Sequence, residues 1–300
     1  MPRVMTIADD TVGSLAECSE ALLERGFHPG NEESLHHAAV QLRRLGNDRS
    51  FLGDMLIDEL KRNQREDTGE NSYGPQVIML RPSGKGNFFI RANIWPSVDE
   101  HAMRASGGGS FVYSLPHDHN FNFLTLGYFG PGYWSNYYEY DYERVAGYQG
   151  EPVGLRFIER SRLEQGKIQL YRAHIDVHDQ APGDALSVSL NIMHTSGAQA
   201  WLDQYSFDLE NSCIGRILSN GSSEAFLRIA VGMGCDEARD LAARFGARHP
   251  SDRMRLAAWG ALASAETDMA ARDAVWRKAE GAGSRLVTAE ARIRREQLVG

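Results

Sequence analysis

Between residues 76 and 209 the chain breaks into short runs rich in aromatic and β-branched residues, each bounded by Gly or Pro. The runs cover residues 76–80, 87–94, 109–114, 121–128, 133–142, 154–159, 167–177, 185–194 and 204–209. Short strands at such spacing leave few architectures open. They pair as an antiparallel sandwich or barrel, because tight turns join antiparallel neighbours and leave no room for crossover helices.

The flanks have a different texture. Over residues 5–66 apolar residues recur at helical spacing: Leu15, Leu22 and Leu23, then Leu35, Ala39, Leu42 and Leu45, then Leu52, Leu56 and Leu60. Asn31 with Ser34, following Pro29-Gly30, predicts a helix start. After Cys213, Ala, Leu and Arg dominate, and four or five helices are expected. One begins at Pro250-Ser251-Asp252, and segments 236–246 and 251–262 are candidates for an antiparallel pair. The expected organisation is therefore N-terminal helices over 1–75, a β-barrel over 76–212 and a helical region over 213–300, a cap or a dimerisation domain. The fold class is mainly β with flanking α. The polar stretch 64–74 marks the first junction.

Charge narrows the function classes. The formal net charge is −8. From Gly221 onward the chain carries 13 Lys/Arg against 11 Asp/Glu, and before it 19 against 29. An acidic body does not match a phosphate backbone, so no nucleic-acid partner is expected. No apolar run is long enough for a membrane span, and residues 1–10 lack the pattern of a secretory signal. The three cysteines, Cys18, Cys213 and Cys235, form no CxxC pair, which fits a reducing cytoplasm.

Four of the ten histidines fall in two places. His117-Asp118-His119 heads an aromatic-rich run, and alternation along a strand brings the two imidazoles to one face. Two such imidazoles begin a metal site. The second place is 172–178, where alternation puts Arg172, His174, Asp176 and His178 on one face. The chain then turns at Pro182-Gly183-Asp184 and returns over 185–194, a hairpin expected to bring a third histidine to the first pair. Both His178 and His174 compete for that place. The aromatic stretch 133–143 is read as barrel wall, from which Tyr137 or Glu139 is a candidate to reach the pocket. Adjacent His36 and His37 fall on different helix faces and receive no metal role, and His194 ends its run. Gly84-x-Gly86 is read as a turn, since no helix start follows it.

The spacing resembles the two motifs of the cupin superfamily. Gly107–Gly109, His117-x-His119 and Gly127 match its first motif, without the glutamate that would fall near Asn122 to Leu124. His178 before Pro182-Gly183 matches the second. A three-histidine site without that glutamate is similar to the cysteine dioxygenase branch, in which N-terminal helices also precede the barrel. In that branch an arginine on an early strand pairs with the substrate carboxylate, and Arg91 in Phe89-Ile90-Arg91-Ala92-Asn93 sits in the corresponding place. The run Ser189-Leu190-Asn191-Ile192-Met193 keeps the family's serine but not its histidine and tyrosine, and no cysteine lies near Leu124. These departures remove the residues tied to thiol oxidation and leave the metal site and the carboxylate clamp.

The resemblance implies an Fe(II) oxygenase that uses O2 on a small carboxylate-bearing substrate, an amino acid or a derivative. Its metal ligands would be His117 and His119 with His178 or His174, and Arg91 its carboxylate clamp; the aromatic stretch adds Tyr137 or Glu139 as a further pocket candidate. Two other classes fit the same residues. One is a lyase or isomerase with Zn or Mn as Lewis acid, and the other a ligand-binding cupin without turnover. A homodimer through the helical region is the remaining partner expectation.

Overall fold

A computed structural model describes residues 2–63, 76–219 and 221–299 of the chain. The junction expected at 64–74 lies outside the described residues. The chain divides into two compact units, residues 1–140 with 155–196, and residues 141–154 with 197–300. Among the described residues no helix is long and apolar enough to cross a membrane.

The first unit opens with three helices, α1 (Leu15–Arg25), α2 (Glu32–Asn47) and α3 (Phe51–Asn63). Their starts are set by side chains. Ser14 and Glu17 cap α1 reciprocally, satisfying backbone donors that the first turn leaves open. The Asn31 carboxamide accepts from the Ser34 amide at 2.9 Å and starts α2 where the sequence placed it. Leu22, Leu35, Leu42 and Leu45 are fully buried, whereas Leu23 and Leu60 face solvent. Neighbouring helical positions point about 100° apart, so Leu22 and Leu23 cannot share a buried stripe.

Among the described residues this unit holds nine strands: β1 (Arg3–Met5), β2 (Val77–Arg81), β3 (Phe88–Trp95), β4 (Phe123–Phe129), β5 (Trp134–Glu139), β6 (Arg156–Arg162), β7 (Ile168–Tyr171), β8 (Asp176–Ala181) and β9 (Ser187–His194). They form two antiparallel sheets, one of six strands in the order β1-β7-β4-β9-β3-β2 and one of three in the order β6-β5-β8. Alternation divides the larger sheet into two faces. Phe88, Ile90, Ala92, Leu124, Leu126, Ile168, Leu170, Leu190 and Ile192 pack with the helices. Each large aliphatic or aromatic side chain buried there contributes about 1.5–3 kcal/mol. Phe89, Phe123, Tyr171 and Met193 point the other way, where they meet Tyr137 of the smaller sheet.

Three expectations need correction. The run 109–114 is not a strand. A short helix α4 (His101–Ser106) precedes a 3-10 turn at Gly108–Phe111, and Val112 and Ser114 have φ of 58° and 55°. Such left-handed residues cannot extend a ladder. The run 167–177 is two strands, β7 and β8, separated by a turn in which His174 has φ 61°. The Asp176 carboxylate closes this turn by accepting from the Arg172 backbone amide at 2.7 Å. Finally, 182–184 is not the tip of a hairpin, because β8 pairs with β5 and β9 pairs with β3 and β4. The chain passes here from one sheet to the other.

The second unit contains a two-stranded antiparallel ladder, β10 (Tyr205–Asp208) with β11 (Cys213–Ile217), and helices α5 (Ser222–Gly232), α6 (Asp236–Arg248), α7 (Asp252–Ala265), α8 (Met269–Glu280) and α9 (Arg285–Val299). The ladder spans the boundary at 212 drawn from the texture of the sequence. Ser251 caps α7 through the Met254 amide, as its Pro-Ser-Asp context predicts. Ala238 and Ala242 of α6 pack with Met254 and Ala258 of α7. Small side chains let the two helix backbones approach closely. Partly buried Arg253 ties the unit together by pairing with Asp203 and Glu224.

Candidate metal centre

His117, His119 and His178 form one buried group whose ligand atoms all lie within 4.8 Å of one another. The Nε2 atom of His178 is 3.0 Å from that of His119 and 3.2 Å from that of His117. The histidine that joins the pair is thus His178 and not His174. The turn before β8 accounts for this. With His174 in the left-handed region, the alternation that would align Arg172, His174, Asp176 and His178 is broken before the strand begins. Asp176 and His178 keep a common face, and His174 instead donates its backbone amide to the His119 carbonyl at 2.8 Å.

Backbone bonds set the convergence. His117 and His178 exchange amide and carbonyl bonds of 3.0 and 2.9 Å, which locks the His-x-His segment against β8. Asn122 accepts from the Ala173 amide at 3.0 Å and holds the other end of that segment. Asp118, between the two histidines, is fully buried and accepts from the Tyr140 hydroxyl at 2.6 Å.

The electrostatics keep the imidazoles neutral. Burial lowers the His117 pKa to about 4. Burial also holds His119 well below its ordinary value, with further depression from His117, His178 and Arg91. His178 is lowered in the same way by burial and then by His117. The His117 Nδ1–H donates to the Leu115 carbonyl at 2.6 Å, so its lone pair is on Nε2, facing the other two rings.

This donor set fits a divalent ion. With metal–nitrogen bonds of ~2.1 Å and angles near 90°, two nitrogens sit about 3.0 Å apart. The two separations measured from His178, 3.0 and 3.2 Å, match that spacing, and all three ligand atoms lie within 4.8 Å of one another. Neutral imidazoles are common ligands for Zn, Cu, Fe and Ni ions.

The surrounding wall is aromatic near the rings and polar beyond them. Phe121 and Phe123 each lie 4.9 Å from the His119 ring, and Tyr171 lies 4.8 Å from that of His178. Tyr137 is the cross-strand neighbour of His178, and its hydroxyl is 2.9 Å from that of Tyr171. Burial raises the pKa of Tyr137 and holds those of Tyr133 and Tyr171 well above the usual phenol value, so all three stay protonated. Across the larger sheet, Arg91, Asn191, Thr125 and Gln169 stand side by side in register. The Thr125 hydroxyl and the Gln169 amide nitrogen are buried without a hydrogen-bond partner among the described residues. Such groups cost about 1–3 kcal/mol each unless water or ligand meets them, which marks this interior as a place for a polar guest.

Glu139 is engaged in ion pairs. Its two oxygens accept from Arg172 at 2.8 Å and Arg156 at 2.6 Å. Arg172 also holds both oxygens of fully buried Asp176. Tyr171, Gln169, Thr125 and Gln180 carry no motif that marks them in the sequence. The first two stand two apart in a run whose texture predicts one long strand, which hides the face that β7 gives them.

No protein-family model and no curated protein matches the sequence. Some solved structures are similar over part of the chain. Hydroquinone 1,2-dioxygenase PnpCD, in complex with Cd2+ and 4-hydroxybenzonitrile, is 10% identical over 44% of this chain and 71% of its own, with a TM-score of 0.27. The DMSP lyase DddQ of Ruegeria pomeroyi is 9% identical over 66% and 79%, with a TM-score of 0.25. A cupin-like protein of Thermotoga maritima is 10% identical over 48% and 93%, also with a TM-score of 0.25. At such scores these likenesses carry no inference about activity, and the chemistry of this chain rests on its own three-histidine group.

Proposed function

We propose that this chain is a metal-dependent oxygenase of the cupin type, with Fe(II) bound by His117, His119 and His178 and a small carboxylate-bearing substrate, an amino acid or a derivative, held beside it. The observation that carries this reading is the meeting of three neutral imidazoles in a group that, among the described residues, contains no carboxylate. His117, His119 and His178 would hold the iron, which when bound would supply open positions for substrate and O2.

The remaining roles fall to the chain's own residues. Neutral imidazoles leave the charge of a divalent ion uncompensated, and Arg91 adds to the positive field at His119. An interior of that sign favours an anionic guest. Arg91 would take the carboxylate in two parallel hydrogen bonds, which its planar fork suits. The protonated phenols of Tyr137 and Tyr171 would donate to a substrate oxygen, and Phe121 and Phe123 would keep water from the histidine rings. Glu139, with both oxygens in ion pairs, is better suited to hold the turn at Arg172 than to move protons.

Metal analysis of protein purified without oxygen, followed by a screen of amino acids and small acids for oxygen uptake, tests this reading. Iron at about one ion per chain with substrate-dependent uptake is expected. Zinc or manganese with turnover but no oxygen consumption would replace it by Lewis-acid lyase or isomerase chemistry. Ligand binding without turnover would make the chain a sensor.

A further inference from the structure

Gln180 follows His178 by one full strand repeat on β8, so both side chains point to the same face. It is 4% exposed. Its Nε2 atom stands 3.3 Å from the His178 Nε2, and its Oε1 is buried with no hydrogen-bond partner among the described residues. The backbone of Gln180 is fixed, because its carbonyl accepts from the Ser114 amide at 3.0 Å and the residue forms a bridge with Tyr113.

The arrangement leaves one end of a buried amide unsatisfied while the other end faces converging nitrogens. A half-turn about the last side-chain bond exchanges nitrogen and oxygen at nearly the same positions. Oε1 then takes a place about 3.3 Å from the His178 Nε2, the separation of two donors bound to one ion at a right angle or slightly more. The amide nitrogen turns away from the histidines. Ser135 is the cross-strand partner of Gln180, and its buried hydroxyl also lacks a hydrogen-bond partner among the described residues.

We propose that Gln180 is a fourth protein ligand, giving the metal a carboxamide oxygen beside the three imidazoles. This rests on the reading that the histidine group holds a metal. A carboxamide is neutral, so a fourth ligand of this kind completes an N3O set without reducing the positive charge that draws an anionic substrate. It also leaves two positions on a six-coordinate ion, enough for a substrate atom and one further small ligand.

Titration of metal-free protein with Co(II), read by its visible absorption and by competition with a chelator, tests the proposal without any need for activity. Gln180→Glu preserves shape and adds charge, and is expected to bind Co(II) at least tenfold more tightly. Gln180→Asn draws the oxygen back by one methylene and is expected to bind about tenfold or more weakly, with an altered absorption band. Far-UV circular dichroism checks that each variant is folded, and the isosteric Glu variant decides if the Asn variant is not. Wild-type affinity and spectrum in the Glu variant would overturn the fourth ligand while leaving the three-histidine site intact. Failure of the wild-type protein to bind Co(II) at all would overturn that site and this proposal together.

Discussion

The Nε2 atoms of His119 and His178 lie 3.0 Å apart, although the two residues are 59 positions apart in the chain. One sits in a loop leading into β4 and the other within β8 of the smaller sheet, and reciprocal backbone bonds between His117 and His178 hold the two segments in register. Removing one imidazole should therefore abolish metal binding without dismantling the segments. His119→Ala and His178→Ala are each expected to lose at least 100-fold in Co(II) affinity, while His174→Ala retains wild-type affinity. Metal content by mass spectrometry checks this, and loss of metal in the His174 variant alone would mean that the third ligand is misassigned.

Arg91 and Arg172 should separate by phenotype. Arg172 neutralises fully buried Asp176. Arg172→Met strands that carboxylate and is expected to cost about 3 kcal/mol of stability. Arg91→Lys keeps the charge but loses the two-pronged geometry. It should keep fold and metal and weaken substrate binding by about 1.5–3 kcal/mol. Urea denaturation of both variants, with substrate affinity measured for the second, tests the pair. Unchanged affinity in Arg91→Lys would remove the main support for a carboxylate substrate.

Acid should destabilise the metal-free protein through His117. Its pKa falls from 6.5 to about 4 on folding because burial penalises the charged ring. Below about 6.5 the unfolded chain binds the proton and the folded chain does not. The stability present above that pH is thus lost progressively as pH falls through the folded value. Thermal melts of metal-free protein should show Tm falling across this window, with a shallower slope in His117→Asn. Equal slopes would contradict the assigned environment.

The passage between the sheets at Gly183 leaves no room for a side chain. A Cβ there would lie 2.0 Å from the Gly132 carbonyl oxygen, a backbone atom that cannot swing aside. Gly183→Ala is expected to cost about 1–3 kcal/mol, seen as a lowered urea midpoint with an unchanged slope. A wild-type midpoint would show that the segment relaxes freely.

The thiols should differ sharply in reactivity. Cys18 is 2% exposed and burial pushes its pKa up to about 12, so almost no thiolate forms at neutral pH. Cys235 is exposed. A thiol reagent should modify Cys235 in the folded protein and Cys18 only after denaturation, as peptide mapping would show. Early labelling of Cys18 would mean that α1 opens readily.

Local rules were enough for much of this chain. Helical periodicity located the stripe Leu35, Leu42, Leu45, and capping chemistry located the starts at Asn31 and Ser251, because a cap is decided by residues three or four apart. A same-face histidine pair was likewise legible in His117-x-His119. The break within 167–177 was not, because it depends on the Asp176 carboxylate folding back onto Arg172 and on the His174 amide meeting the His119 carbonyl, a partner distant in sequence. That break leaves His178, and not His174, beside the His117-x-His119 pair, and tertiary pairing brings Tyr171 and Gln180 next to His178. Periodicity tells each side chain which face it occupies, but which faces meet depends on strand order and register, and these are properties of contacts between segments far apart in the chain.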